Sequence, residues 1–115
     1  MGRLTTHILD TAHGEPAAKV AVRLFRSAGS REFVAGATTN DDGRTPEPLL
    51  QGGDMVSGVY ELEFDIGDYF RSRGVQLADP AFLDTVIIRF AASAEQNYPV
   101  PLLVSPWSYS TYRGS

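Results

Sequence analysis

The chain has 115 residues, a formal net charge of −4 and no cysteine. This length fits a single domain, residues 1–115, with one hydrophobic core. The acidic balance excludes the clustered cationic surface that nucleic-acid binding requires, and the lack of cysteine excludes disulfides, thiolate metal sites and cysteine nucleophiles.

The N-terminal segment carries no sign of a targeting signal. Residues 1–10 contain one basic side chain, Arg3, but no apolar run long enough for the core of a signal peptide. No stretch of the chain approaches the roughly 18 apolar residues that a membrane-spanning helix needs. We therefore expect a cytoplasmic protein without a membrane partner.

Most of the chain alternates apolar and polar residues, a period of two that is typical of strands buried on one face. The alternation is clearest where Glu61, Glu63 and Asp65 separate four apolar side chains. Candidate strands, in chain order, cover residues 5–10, 19–25, 32–38, 60–66, 84–90 and 98–104. Segments rich in turn-forming residues lie between them at 14–16, 27–30, 40–43 and 52–54. This regular spacing favours an all-β sandwich or a barrel.

One segment breaks the alternation. Residues 67–74 contain good helix formers, with Asp68 near the start and Gly74 after the end, and therefore predict a short helix. Residues 79–84 then indicate a loop that leads into the next strand.

Two histidines, His7 and His13, are the only imidazoles available as bases. His7 falls in a strand-like segment, whereas His13 precedes Gly14 in a predicted turn. Hydrolysis of an amide-like bond needs a base to activate water, and a histidine is the usual base near neutral pH. An arbitrary histidine is more often structural than functional, and we interpret His13 as structural.

Arg44 and the C-terminal segment are the other candidates for chemistry. Arg44 follows an Asn-Asp-Asp-Gly turn, where its guanidinium can make two parallel hydrogen bonds to a planar ligand. The simpler alternative is an exposed arginine paired with Asp41 or Asp42. Residues 109–115 contain two tyrosines and an arginine, an unusual composition for a free terminus, and this predicts a tail docked at an interface, a site, or both.

Three segments of this chain together resemble the signatures of one family. They are Thr-Thr-His-Ile-Leu-Asp-Thr at residues 5–11, Asn-Asp-Asp-Gly-Arg-Thr at 40–45, and the segment 101–115, which ends in Tyr-Arg-Gly-Ser. The chain is similar here to the 5-hydroxyisourate hydrolases, the transthyretin-related enzymes of urate breakdown. Residues 58–62 and 67–70 also fit, so the likeness covers the whole chain. The terminal tetrapeptide is the most specific element, because the hormone carrier transthyretin lacks it.

The resemblance implies a fold, an assembly and a reaction. The fold is a transthyretin-like two-sheet β-sandwich with one short helix. The assembly is a homotetramer, a dimer of dimers, with active sites in a central channel. The reaction adds water at a ring carbonyl of 5-hydroxyisourate, a purine-derived heterocycle, and gives 2-oxo-4-hydroxy-4-carboxy-5-ureidoimidazoline. Neither a cofactor nor a metal is expected.

The resemblance also implies roles for individual residues. His7 matches the catalytic histidine near the family's N-terminus, and Arg44 matches an arginine that binds substrate and assists catalysis. The C-terminal residues match a tail that lines the pocket and contributes to substrate binding: Tyr112, Arg113, Gly114 and Ser115. Ser115 is also expected to take part in catalysis.

The segment 97–101 departs from the family pattern. Family members usually carry His-Tyr-His-Val-Pro where this chain has Asn-Tyr-Pro-Val-Pro, so Asn97 replaces the first histidine and Pro99 the second, catalytic one. Proline has neither an ionisable group nor a backbone donor, so that role is lost. Asn97 shares a strand face with Pro99 and can position substrate or water, but its amide is not a base near neutral pH.

Loss of a general base typically costs a factor of about 10² to 10⁴ in rate, or roughly 3 to 5 kcal/mol of barrier. The sequence therefore predicts a weakened 5-hydroxyisourate hydrolase. The alternatives are a noncatalytic small-molecule binding protein and a repurposed enzyme that acts on another heterocycle in the tetramer channel. The retained His7, Arg44 and C-terminal tail argue against simple decay of the site.

Overall fold

Nine strands and one short helix make up the fold in the computed structural model, which describes residues 2–115. The elements, in chain order, are β1 (Arg3–Asp10), β2 (Glu15–Pro16), β3 (Ala21–Ala28), β4 (Ser30–Thr38), β5 (Leu50–Gln51), β6 (Gly58–Asp65), α1 (Ile66–Ser72), β7 (Thr85–Ala92), β8 (Tyr98–Val104) and β9 (Tyr109–Thr111). A 3₁₀ turn, Gly52–Asp54, follows β5.

Two sheets pack face to face, which confirms the predicted all-β sandwich with one short helix. One sheet has the order β2-β1-β8-β9, with β5 also paired to β1, and the other has the order β4-β3-β6-β7. Every ladder between named strands is antiparallel except that of β1 with β8, which is parallel. The parallel pair joins the two ends of the chain in the middle of one sheet.

The core lies between the sheets and follows the alternation of the sequence. On β6, Tyr60, Leu62 and Phe64 are fully buried, whereas the acidic residues between them face outward. On that outer face Arg23 binds Glu63 at 2.9 Å and Asp65 at 2.6 Å. The apolar half of the strand therefore builds the core, and the charged half forms a solvated ion-pair network.

Some boundaries differ from the predicted ones. The strand predicted to reach residue 66 ends at Asp65, and α1 begins at Ile66 rather than at 67. The reason is that the backbone N–H groups of Ile66 and Gly67 both donate to the Asp84 carbonyl at 2.9 Å, which ends the ladder with β7 and turns the chain. The short strands β2, β5 and β9 were not predicted, because each has only two or three residues, too few to show an alternation, and only its pairing with β1 or β8 makes it a strand.

The predicted turn at 27–30 is much tighter than expected. β3 continues to Ala28 and β4 begins at Ser30, so Gly29 alone links them, with a φ of 79° that favours glycine. Among residues 2–115, no helix is both long enough and apolar enough to cross a membrane.

Candidate active site

A pocket of about 540 Å³ opens on the outer face of the sheet that contains β1 and β8. Along β1, the side chains of Leu4, Thr6 and Ile8 are buried towards the core. The residues between them therefore point the other way, and the pocket is lined by Thr5, His7 and others from that outer row.

His7 stands in the middle of this outer row. Burial lowers the pKa of His7 below its usual value of 6.5, and the positive charge of Arg44 lowers it further. A hydrogen bond with the Asp42 backbone and the Asp42 charge act in the opposite direction but do not reverse the shift. The imidazole is therefore neutral near pH 7 and available to accept a proton.

Arg44 is held beside His7 by a tightly bonded loop. The Asn40 Oδ1 accepts the backbone N–H groups of Asp42 at 2.9 Å and Arg44 at 3.2 Å, and the Asn40 N–H donates to the Arg44 carbonyl at 2.8 Å. Residues His7 and Arg44 form an isolated antiparallel bridge. The loop therefore holds the backbone of Arg44 against β1, opposite His7.

Gly43 makes this close approach possible. Its carbonyl accepts the Ile8 N–H at 2.8 Å, and its φ is 74°. A Cβ at residue 43 would lie 2.4 Å from the Ile8 carbonyl oxygen, so a larger residue would push the loop away from β1.

Arg44 also lines the pocket without an ion pair to its own loop. Within residues 2–115 no salt bridge joins Arg44 to Asp41 or Asp42, the simpler alternative considered for it. Arg44 therefore lines the same pocket as His7 with no carboxylate of its own loop bound to it.

The C-terminal tail is docked against β8, as its aromatic content predicts. At the end of β9 the Thr111 hydroxyl donates to the Pro101 carbonyl at 2.7 Å, and beyond the strand the Gly114 N–H donates to the Pro99 carbonyl at 2.8 Å. The predicted residues that consequently line the pocket are Asn97, Tyr112, Gly114 and Ser115. The tail closes the side of the pocket opposite Arg44, with β1 and β8 between them.

Arg113 is the one predicted site residue that does not line the pocket. Its Nη2 donates to the Gln96 Oε1 at 2.9 Å and to the Asn97 carbonyl at 3.2 Å, and its guanidinium lies over the Tyr98 ring. The physical reason is that neighbouring side chains of an extended segment point to opposite faces. With Tyr112 and Gly114 on the pocket, Arg113 faces away from it.

Pro99 forms part of the pocket wall. Pro99 pairs with Thr5 of β1, and its carbonyl accepts the hydrogen bond from the Gly114 N–H of the tail. The proline side chain consists only of CH₂ groups, so it offers the pocket neither a donor nor an acceptor. Because His13 lies elsewhere, His7 is the only imidazole in the pocket.

Two charged residues of the pocket were missed in the sequence. Arg3 lies four residues before His7 on the same outward face of β1, so the period of two was a usable signal. Glu47 lies in the loop after Arg44 and gave no signal, because loop conformation is not encoded by periodicity. The wall therefore carries two arginines and one side-chain carboxylate beside a neutral imidazole.

His13 is structural, in agreement with its interpretation from the sequence. Its Nδ1 lies 2.6 Å from the Oδ2 of Asp10, whose side chain is fully buried. Tyr69 donates its hydroxyl hydrogen to the same oxygen at 2.7 Å. Burial alone would raise the pKa of Asp10, but hydrogen bonds from Tyr69 and His13 outweigh it and lower the pKa.

Comparison with known proteins gives consistent matches over the full chain. The HIUase/Transthyretin family matches residues 4–114. The chain is 58% identical to the 5-hydroxyisourate hydrolase of Pseudomonas aeruginosa, over 100% of this chain and 93% of that protein. Among solved structures, (S)-allantoin synthase superposes with a TM-score of 0.94 at 46% identity, covering 99% of this chain and 44% of that one. The 5-hydroxyisourate hydrolase of Klebsiella pneumoniae gives 0.83 at 33% identity, over 100% of both chains.

Proposed function

Since this chain belongs to the HIUase/Transthyretin family, we propose that it is a hydrolase that opens the ring of 5-hydroxyisourate in urate degradation. The observation that carries the proposal is the pocket itself. Its lining residues include His7, whose imidazole is neutral near pH 7, Arg44 and the docked end of the tail. These are the groups that hydrolysis of a cyclic amide needs.

His7 acts as the base in this proposal. Its neutral imidazole takes a proton from a water molecule as the water oxygen bonds to the ring carbonyl carbon. The carbon–nitrogen bond of the ring then breaks, and His7 returns the proton to the departing nitrogen. The product carries a new carboxylic acid, which ionises by releasing its proton to solvent, so one water is consumed and no redox partner is required.

Arg44 holds the substrate and stabilises the charge that develops on it. Its planar guanidinium donates two parallel hydrogen bonds to carbonyl oxygens of a flat heterocycle. The loop around Gly43 fixes its backbone before substrate arrives, so little reorganisation is needed in the transition state.

The tail completes the pocket in this proposal. The Asn97 amide both donates and accepts hydrogen bonds, and the Ser115 hydroxyl can orient water or substrate. Tyr112 and Gly114 provide the wall against which a flat ring packs.

A homotetramer is part of the proposal. The pocket is open to solvent in one chain, and a second copy placed over this face turns it into an enclosed channel. Trp107, in the turn between β8 and β9, is 67% exposed, and an exposed aromatic side chain of this kind suits a contact between copies of the chain. Analytical ultracentrifugation tests the assembly, and a stable monomer contradicts it. We also assign the protein to the cytoplasm, which cell fractionation tests.

The direct test follows the ultraviolet absorbance of freshly made 5-hydroxyisourate with and without the protein. We expect faster decay with the protein, and a loss of about tenfold or more in Arg44→Lys, because lysine lacks the planar fork. Arg71→Ala is the matched control, since Arg71 is an exposed arginine on α1 that pairs with Asp68. Decay at the spontaneous rate with the native protein would sink the proposal.

Pro99 favours a second candidate, a noncatalytic binding protein that uses the same pocket, or an enzyme for another heterocycle. The variant Pro99→His, compared with the native protein, distinguishes this candidate from the proposed hydrolase. If the native protein has no activity and Pro99→His gains about 10²-fold or more over the spontaneous reaction, the scaffold is a hydrolase frame that has lost turnover. A native protein that already hydrolyses 5-hydroxyisourate removes this candidate.

A further inference from the structure

Arg113 makes a set of contacts that its position outside the pocket does not by itself explain. One nitrogen of its guanidinium, Nη2, serves two acceptors, the Gln96 side chain at 2.9 Å and the Asn97 carbonyl at 3.2 Å. The centre of the guanidinium lies 4.7 Å from the centre of the Tyr98 ring. Three consecutive residues before and at the start of β8 therefore bind one side chain of the tail.

The segment that Arg113 contacts, residues 96–98, is held in place by further hydrogen bonds. The Tyr98 hydroxyl accepts the Ser93 backbone N–H at 2.8 Å, and the Gln96 N–H donates to the Ser93 carbonyl at 3.3 Å. The Gly2 N–H donates to the Ala94 carbonyl at 3.0 Å, which joins this turn to the residue before β1. Arg113 thus connects the tail to a part of the protein that is held from several sides.

The next residue along the tail adds a second connection. The Gly114 N–H donates to the Pro99 carbonyl, and a Cβ at residue 114 would lie 3.0 Å from the Pro99 Cβ and 3.3 Å from its carbonyl oxygen. The backbone at residue 114 therefore lies directly against β8. Arg113 and Gly114 together fix the tail on the segment that carries Asn97.

The contacts of Arg113 join two segments, and each of these segments carries a residue that lines the pocket. Asn97 precedes β8 and Ser115 ends the tail, and both face the cavity that contains His7. A misplacement of about 1 Å in groups that orient a substrate can cost about 10²-fold in rate. The contacts of Arg113 therefore set a geometry on which turnover depends.

We infer that Arg113 is a positioning residue, which clamps the C-terminal tail to residues 96–98 and thereby places Asn97 and Ser115 in the pocket without touching substrate. This inference rests on the proposed function and deepens it. It also reassigns Arg113, which the family resemblance implied to be a substrate-binding residue.

The kinetic test uses Arg113→Ala, Gln96→Ala and the double variant, assayed by the decay of 5-hydroxyisourate. We expect Arg113→Ala to lower kcat by about 10- to 100-fold while KM changes by less than about twofold. Gln96 does not line the pocket, so Gln96→Ala should lower kcat only through Arg113. The double variant should then match Arg113→Ala. Multiplicative losses, or a rise in KM alone, would overturn the clamp.

The conservative variant Arg113→Lys separates a clamp from a charge effect. Lysine keeps the positive charge but lacks the planar surface that lies over Tyr98 and the geometry that serves two acceptors. We expect kcat to stay at least about fivefold low in Arg113→Lys. Full activity in this variant would show that charge alone matters and would contradict the inference. Because this change is small, it also serves if Arg113→Ala does not fold.

A readout that needs no turnover follows the tail itself. Carboxypeptidase should release Ser115 about tenfold faster from Arg113→Ala than from the native protein, because the tail is no longer held. The control Arg71→Ala should release it at the native rate. Equal release from all three proteins overturns the clamp, whereas faster release combined with an inactive native protein supports the clamp and contradicts only the proposed function.

Discussion

The two histidines lie only six residues apart, at β1 and in the turn that follows it, but their surroundings are opposite. His13 belongs to a buried-carboxylate cluster, which also contains Asp10, Tyr69 and Arg73 and in which the polar groups bind one another. His7 faces a cavity, together with Arg44 and the docked tail. Polar groups that satisfy each other inside the protein stabilise the fold, whereas polar groups that converge on open space are available to a ligand. An imidazole alone does not mark a site.

The largest expected effect comes from replacing each histidine by asparagine. His7→Asn should lower the rate of 5-hydroxyisourate decay by about 10² to 10⁴-fold, because the only imidazole in the pocket is lost. His13→Asn should leave the rate of the folded protein unchanged and lower the free energy of unfolding by about 1 to 2 kcal/mol. The measurements are the ultraviolet assay and chemical denaturation. Equal loss of activity in both variants would erase the distinction between the two regions.

A second effect concerns the stability of the buried-carboxylate cluster. Asp10→Ala should lower the free energy of unfolding by about 3 kcal/mol, because it leaves Tyr69 and His13 without their shared, fully buried acceptor. Glu15→Ala is the control, since this exposed carboxylate binds the same Arg73 at 2.6 Å, and it should cost about 0.5 kcal/mol or less. Urea denaturation measures both. Similar losses would mean that burial of the carboxylate does not govern the cluster.

The smallest expected effect is a difference in pH dependence between the reaction rate, which depends on His7, and the stability, which depends on Asp10. The pKa of His7 is lowered, so the rate should hold as pH falls to 6.5 and decline only as pH passes through the lower pKa of the folded protein. The pKa of Asp10 is also lowered, so its contribution to stability is complete above its unfolded pKa of about 3.8 and is lost as pH falls below that value.

Rate and unfolding free energy should therefore fall in different pH windows, activity first and stability later. Activity that declines already from pH 8 to pH 7 would contradict a neutral His7 acting as the base. A pH titration of the rate, with urea denaturation followed by circular dichroism at each pH, provides both curves.

Much of the fold was predictable because its signals are local. The alternation on β6 puts Tyr60, Leu62 and Phe64 in the core whatever the partner strand is. The aromatic residues of the last seven positions indicated a docked tail, and the departure at Pro99 was visible in the sequence. The Asn40 to Gly43 turn could be predicted as a turn, because its residue types favour that backbone locally.

Other features became visible only in three dimensions. The parallel pairing of β1 with β8 joins residues more than 90 positions apart and brings His7 beside the tail. The docking of the tail along β8 decides that Arg113 faces Gln96 and Tyr98 rather than the pocket, and the loop after Arg44 brings Glu47 into the pocket wall. The strand β5 also forms only through a distant partner, since it pairs with Arg3 and Leu4 of β1.

The sequence alone therefore determined which residues are able to do chemistry and which faces of the strands are buried, because side-chain chemistry and a period of two are properties of short segments. The tertiary structure alone decided which of those residues share a cavity. The physical reason is that strand pairing is a contact between distant segments, and the alternation of one segment shows which face is buried but not which distant strand it pairs with.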